Sequence, residues 1–221
     1  MKETEVPRKY SVIRDRLVSA LIQVGAIDIA ATELRNLFNF RTPLKEAGEK
    51  RKVGPITNEI VEDAAWLMAF VPLAKKLKHE AVLGVPREGE PYAQECARKT
   101  GKLLVQMDMW QVGDKRCITG VRGQVPGDVT DVIVFDGVSL TGESLRHTVR
   151  NLREPGTEIG VQHAVVLLDF EHGARELLQE EGVTLHAVYT ATELLEKHPE
   201  AEKVLPYIRT SIGWKAAYST A

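Results

Sequence analysis

The residues best suited to chemistry follow directly after an apolar run. The run "DVIVFD" ends at Asp136, and Ser139, Thr141, Gly142 and Ser144 come next, where a helical pattern begins. Hydroxyls and exposed N–H groups at the start of a helix form an anion site, and a glycine lets the backbone approach the anion closely. The adjacent carboxylate suits sugar hydroxyls or a developing positive charge. The segment therefore favours a site for a ribose 5-phosphate, although a helix cap after a strand end explains the same residues equally well.

Two further apolar runs end in polar or aromatic residues. Arg87, Glu88 and Gly89 follow "AVLGVP", and Asp169 and Phe170 follow "AVVLL". In open parallel sheets, ligands bind in the crevice beyond the carboxyl ends of the strands. We therefore expect these segments to line one crevice.

The spacing of apolar residues predicts an α/β fold. Short runs rich in Val, Ile and Leu alternate with helical patterns, which is typical of a buried parallel sheet with helices on its faces. Strands are predicted over 80–86, 102–108, 131–136, 161–170 and 183–190. Helices are predicted over 9–24, 59–78, 88–101, 141–154, 173–182 and 192–199. A possible strand at 34–40, a basic loop at 41–55 and a polar loop that extends through 130 complete the prediction.

Composition excludes several classes of function. The chain has 221 residues, 43% hydrophobic and 27% charged, with a net charge of −2, so nothing draws it as a whole to nucleic acid or an anionic membrane. No apolar run approaches the ~20 residues of a membrane span, and the start lacks the apolar segment of a signal peptide. Two cysteines and six histidines show no spacing typical of metal ligands. We expect a cytoplasmic protein.

The segment from 131 to 152 resembles the loop with which type I phosphoribosyltransferases bind 5-phosphoribosyl 1-diphosphate (PRPP). Two other stretches, "VLGVPREGEPYAQECARKTGKLLV" and "LLDFEHGARELLQEEGVTLHAVYTATELL", are similar to orotate phosphoribosyltransferases, and the N-terminal region resembles their substrate-covering hood. The resemblance implies a phosphoribosyltransferase-type parallel sheet flanked by helices, with a small N-terminal hood. It implies one domain over 1–221. Within that domain the N-terminal helix and hood would span 1–58, the α/β core 59–197 and the tail 198–221.

The resemblance also implies a role for each candidate residue. Asp136 would be the catalytic carboxylate at the ribose. The 5-phosphate would lie against Ser139, Leu140, Thr141, Gly142, Glu143 and Ser144. The diphosphate, with its Mg²⁺, would lie against Arg87, Glu88 and Gly89, and against Lys115 and Arg116 if the polar loop is a lid that supplies cations. The base would meet Lys45 and Phe170. Mg²⁺ would arrive with PRPP, and the protein would be a homodimer.

The sequence departs from the family pattern at three places. The two adjacent acids at the start of the PRPP loop read Asp136-Gly137 here. The cations that would neutralise the diphosphate are replaced by Asp108, Met109 and Val112. An arginine that meets orotate is replaced by Phe170, which would stack on a less acidic base.

Three hypotheses remain open from the sequence. The first is an enzyme that joins PRPP to orotate or another nucleobase and releases pyrophosphate. The second is a non-catalytic regulatory module that binds PRPP or a nucleotide on the same fold. The third is a hydrolase or phosphorylase that acts on nucleotides in the same cleft.

Overall fold

The computed structural model describes residues 5–27, 38–40, 54–112, 115–122, 125–127, 129–155 and 157–203. Its helices are α1 (Glu5–Gln23), α2 (Asn58–Lys75), α3 (Glu90–Thr100), α4 (Glu143–Leu152), α5 (Ala174–Glu180) and α6 (Ala191–Glu196), followed by a 3₁₀ turn (Ala201–Lys203). Its strands are β1 (Ala81–Gly84), β2 (Leu103–Val105), β3 (Met107–Val112), β4 (Lys115–Val121), β5 (Asp131–Ser139), β6 (Gly160–Asp169) and β7 (Thr184–Thr190). No helix in this described part of the chain is long and apolar enough to cross a membrane.

Five of the strands form one sheet in the order β2-β1-β5-β6-β7, and every neighbouring pair is parallel. The predicted α/β fold with a five-stranded parallel core is confirmed. Strands β1, β5 and β6 are buried on both faces, which explains why they read as nearly continuous apolar runs.

The core lies in two layers because strand side chains alternate between the faces of the sheet. On one face, Ile133 and Phe135 pack with α1, α2 and α3. On the other face, Val132 and Val134 pack with α4 and α5. This arrangement fixes the sheet between two helical layers and leaves its carboxyl edge to the connecting loops.

The predicted polar loop after residue 108 is wrong. Strands β3 and β4 form an antiparallel hairpin there, in which Val112 pairs with Lys115. In the sequence, two residues, Gly-Asp, separate these partners, and this spacing predicts a hairpin. Strand β5 also continues three residues beyond its predicted end at Asp136, because the chain pairs with β6 as far as Ser139. Most of the possible strand at 34–40, and most of the basic loop at 41–55, lie outside the described residues.

Candidate functional site

The three predicted segments meet at the carboxyl edge of the sheet, because β1, β5 and β6 are neighbours. Gly84 pairs with Phe135, and Ser139 pairs with Asp169. Beyond the strands, the N–H of Val85 donates to the carbonyl of Phe135 at 2.8 Å, and the N–H of Phe170 donates to the carbonyl of Ser139 at 3.0 Å. The structure therefore brings the segments together as the sequence predicts.

Gly142 makes the transition from the β5 loop to helix α4. It is the N-cap of α4 and lies in the left-handed region, with φ at +83°. A side chain here would be strained, and its Cβ would lie 3.1 Å from the Cα of Ala174 at the start of α5. Since glycine cannot cap the helix with a side chain, the first N–H groups of α4 depend on another acceptor. Such a helix start can receive an anion.

Glu143 is the acid of this loop, and its charge is offset within the same helix. Its carboxylate accepts hydrogen bonds of 2.7 and 2.9 Å from Arg146. His147 lies 3.9 Å away from the same group. Glu143 is therefore oriented toward a cation of its own helix, Arg146. Sequence reasoning missed Arg146, although its spacing of three residues from Glu143 is the pattern of a helical ion pair.

The segment between β1 and α3 is a tight turn that admits no side chain at its glycines. A Cβ on Gly89 would lie 2.2 Å from the carbonyl oxygen of Phe135, and one on Gly84 would lie 2.6 Å from the backbone of Gly89. Arg87 lies in the left-handed region with φ at +73°, which is uncommon for a residue with a side chain. Such strain is often found at ligand sites.

Asp136 lies in β5, next to Phe135, whose carbonyl faces this turn, and only 5% of its surface is exposed. Its Oδ1 accepts a hydrogen bond of 2.8 Å from the N–H of Gly137. The pKa of Asp136 is raised to about 8, mainly by burial; the hydrogen bond from Gly137 opposes the rise, and the nearby charge of Glu88 adds to it. Such a carboxyl holds its proton at neutral pH until a cation or a hydrogen-bond donor approaches.

The space beside Gly137 is filled by the ring of Tyr92, from the first turn of α3. A Cβ on Gly137 would lie 2.9 Å from Cε2 of this ring and 3.6 Å from its hydroxyl oxygen. Tyr92 is 1% exposed. Its hydroxyl, like that of Ser139, is buried without a hydrogen-bond partner in the described part of the protein. Sequence reasoning missed Tyr92, because a tyrosine on the apolar face of a helix predicts only packing.

At the end of β6, Asp169 forms hydrogen bonds and Phe170 packs in the core. Asp169 is fully buried and accepts hydrogen bonds from the N–H of Glu171 at 2.9 Å and from Nε of Arg175 at 2.7 Å. Phe170 is buried and packs edge-on against Phe38, with ring centroids 5.1 Å apart. Its proposed stacking on a base stays a prediction. In this structure its ring joins the hydrophobic core.

The remaining candidate cations lie wholly or partly outside the described residues. Lys45, the candidate for the base, is not one of the described residues. The backbones of Lys115 and Arg116 lie on β4, and nothing is described of their side chains. On the same hairpin, Nε of Arg122 donates to Asp108 at 2.7 Å, so an acid that replaces a family cation is itself paired with a cation. The proposed roles of Lys45, Lys115 and Arg116 stay predictions.

A cavity of about 560 Å³ lies elsewhere, toward the amino ends of β1 and β2. It lies between the C-terminal ends of α2 and α3, with Pro72, Val82, Cys96 and Lys102 among its lining residues. None of the predicted site residues contributes to it. It is therefore separate from the carboxyl edge of the sheet.

Comparisons with known proteins point to one family. No protein-family model matches the chain. The orotate phosphoribosyltransferase of Methanopyrus kandleri is 31% identical over 186 residues, which cover 82% of this chain and 91% of that protein. The enzyme of Sulfolobus acidocaldarius is 32% identical over 127 residues, and the match spans 61% of its length. The crystal structure of orotate phosphoribosyltransferase from Aeropyrum pernix superposes with a TM-score of 0.58 and 26% identity, covering 82% of this chain and 98% of that one.

Proposed function

The chain belongs to the orotate phosphoribosyltransferase family, and on that basis we propose that it binds PRPP and transfers the phosphoribosyl group to orotate or another nucleobase. The observation that carries the proposal is the meeting of three elements at neighbouring strand ends. These are the glycine-containing loop 139–144, the tight turn 85–89 and the buried carboxyl of Asp136. In a parallel sheet this edge is where ligands bind.

In the proposal, the 5-phosphate lies at the start of α4. The N–H groups of this helix end and the hydroxyls of Thr141 and Ser144 would donate to its oxygens, and the helix dipole favours an anion there. Glu143 would repel a phosphate if its charge were free. Its ion pair with Arg146 reduces that repulsion and keeps the carboxylate directed along the helix.

Asp136 would act on the ribose. During transfer the bond between C1 and the pyrophosphate oxygen breaks with its electron pair, and a ring nitrogen of the base bonds to C1. Positive charge develops on the ribose, and a carboxylate close to it lowers the energy of the transition state. Because the pKa of Asp136 is raised to about 8, mainly by burial, the free protein holds this carboxyl largely protonated at neutral pH. Positive charge on the ribose favours the ionised carboxylate, so the attraction between the two is strongest in the transition state, where that charge develops.

The diphosphate would lie against the turn that contains Arg87, Glu88 and Gly89. In the described residues, no group of three or more His, Cys, Asp or Glu side chains could hold a metal ion. The proposal has Mg²⁺ enter with the diphosphate of PRPP, since this hard cation prefers oxygen ligands. Glu88 would then face a cation instead of a bare diphosphate. Bound Mg²⁺ would neutralise the charge of the leaving pyrophosphate.

The remaining parts of the proposal rest on the sequence and on its resemblance to the family. Lys115 and Arg116 would supply cations to the diphosphate, and Lys45 and Phe170 would contact the base. The protein would act as a homodimer in the cytoplasm.

The test is Mg²⁺-dependent release of pyrophosphate from PRPP, measured with orotate, uracil, a purine or no base. We expect release with one base, and its loss in Asp136→Asn. Asp131→Asn is the matched control, because Asp131 begins the same strand at the opposite edge of the sheet, where its carboxylate accepts a hydrogen bond from Gln162. Equal loss in both variants would contradict the assigned role of Asp136.

A second function is favoured by the departures at Gly137, Asp108 and Met109. A module that keeps the 5-phosphate loop and lacks the diphosphate cations would bind PRPP or a nucleotide without turnover. Saturable binding that Thr141→Ala weakens, together with no pyrophosphate release under any condition, would select this function over the enzyme.

A further inference from the structure

We propose that Tyr92 replaces the missing second acid of the PRPP loop, and that its hydroxyl binds the ribose of the ligand. The inference rests on the proposed function and deepens it, because it names a specificity-determining residue in the same site. The observations that carry it are the contact between Tyr92 and Gly137, the burial of the tyrosine and the absence of a partner for its hydroxyl in the described residues.

The geometry makes the two groups mutually exclusive. A Cβ at position 137 would already lie 2.9 Å from the edge of the Tyr92 ring, closer than a real Cβ contact allows. A carboxylate extends two bonds beyond its Cβ, and the phenol oxygen lies only 3.6 Å from that Cβ position. An aspartate at 137 and a tyrosine at 92 would therefore compete for one volume. Gly137 is the residue that admits Tyr92.

The hydroxyl itself needs an explanation that packing does not give. Phenylalanine would fill the same volume without burying a polar group, and an unpaired buried hydroxyl is costly. The hydroxyl of Ser139, two residues beyond Gly137, is also buried and has no hydrogen-bond partner among the residues that the structure describes. These two hydroxyls, one on Ser139 at the end of β5 and one on Tyr92 against Gly137 of the same strand, suit a ligand that carries several hydroxyls, as a ribose does.

The acids around Tyr92 favour a neutral group, and not a further carboxylate, beside Gly137. Tyr92 lies close enough to Asp136 and Glu88 for both charges to raise its pKa, after the larger effect of burial. A carboxylate at position 137 would add a third acid to this cluster. A phenol that keeps its proton adds a hydrogen-bond donor without charge. This suits a chain in which Asp108 and Met109 stand where the family has cations that would balance more negative charge.

Two probe ligands distinguish the ribose part of the proposed site from its phosphate part: ribose 5-phosphate would contact both parts, and inorganic phosphate only the second. Binding of both is measured by calorimetry to the wild-type protein and to Tyr92→Phe, Thr141→Ala and Tyr189→Phe. Tyr189→Phe is the matched control, since this buried tyrosine donates its hydroxyl to the carbonyl of Arg14 in α1. We expect Tyr92→Phe to weaken ribose 5-phosphate about tenfold and to leave inorganic phosphate unchanged. Thr141→Ala should weaken both ligands, and Tyr189→Phe neither.

The possible outcomes distinguish the inference from the function on which it rests. If Thr141→Ala weakens ribose 5-phosphate and Tyr92→Phe does not, the role of Tyr92 is wrong and the proposed function stands. If the wild-type protein binds neither probe, the proposed function fails and the inference fails with it.

A stability cycle tests the exclusion without any ligand. Gly137→Asp and Tyr92→Ala should each lower the midpoint of thermal unfolding, and the double variant should lose less than the sum of the two losses, because the alanine frees the volume that the acid requires. Strictly additive losses in the double variant would overturn the claim that the two residues share one volume.

Discussion

Replacing Asp136 with asparagine should change how the stability of the protein depends on pH. The carboxyl is buried, and its pKa is raised to about 8, first by burial and then by the charge of Glu88. In the unfolded chain the same group has an ordinary pKa near 4. Between these values the folded protein holds a proton that the unfolded chain releases. The contribution of Asp136 to stability is therefore largest below about pH 4 and falls as pH rises toward 8.

The magnitude follows from linkage. One proton held only by the folded state changes the free energy of unfolding by about 1.4 kcal/mol per pH unit. Between pH 5 and pH 7, which both lie inside the window, Asp136 should cost about 3 kcal/mol of stability. Asparagine keeps the oxygen that accepts from Gly137 and does not titrate. The difference in unfolding free energy between Asp136→Asn and the wild type should therefore shift by the same amount in favour of the variant.

Urea unfolding at pH 5, 6 and 7, followed by circular dichroism, measures this shift. Asp131→Asn provides a graded comparison, because the pKa of the half-buried Asp131 is raised by the same cause, burial, and the effect should have the same sign and a smaller size. The raised pKa of Asp136 would be refuted by one result: a difference in unfolding free energy between the wild type and Asp136→Asn that stays constant within about 0.5 kcal/mol from pH 5 to pH 7.

Three other substitutions test the backbone and the ion pair around the site. Gly89→Ala should prevent stable folding or cost more than about 3 kcal/mol, since its Cβ would lie 2.2 Å from the carbonyl oxygen of Phe135; urea unfolding reports this. Gly142→Ala should cost about 1–3 kcal/mol, because φ is +83° there, and should weaken ribose 5-phosphate in calorimetry. Arg175→Ala should cost about 3 kcal/mol in thermal unfolding, because it leaves the fully buried Asp169 without its cation, and Arg175→Lys should recover part of that loss.

The parallel sheet was predictable because its strands are short, buried on both faces and separated by helical patterns. The burial of β5 and β6 is nearly continuous, so the sequence of each strand reads as one apolar run. The rule that ligands bind at the carboxyl edge then placed Asp136, Arg87 and Asp169 near one another without any knowledge of the strand order. Local sequence was sufficient for this step, since each element is defined by its own residues.

The hairpin of β3 and β4 was missed because its strands look polar. Lys115 and Arg116 begin β4, and Asp108 lies in β3, so charge concealed the alternation. The useful feature was the pair Gly-Asp between Val112 and Lys115, which has the composition of a two-residue hairpin loop. Hairpin strands that stand apart from the main sheet have less need of apolar residues than strands buried on both faces.

The contact between Tyr92 and Gly137 could not be predicted from either residue. Gly137 in isolation reads as the loss of an acid that the family uses, and Tyr92 in isolation reads as a packing residue. The pairing depends on how α3 lies against β5, which is a tertiary property. In the structure, the neutral phenol ring of Tyr92 occupies the volume that a charged side chain at position 137 would require. Under the proposal that the Tyr92 hydroxyl binds the ribose, the ribose part of the site would keep its function in a different chemical form. A loss of catalysis would then be sought at the proposed diphosphate region, where Arg122 pairs with Asp108.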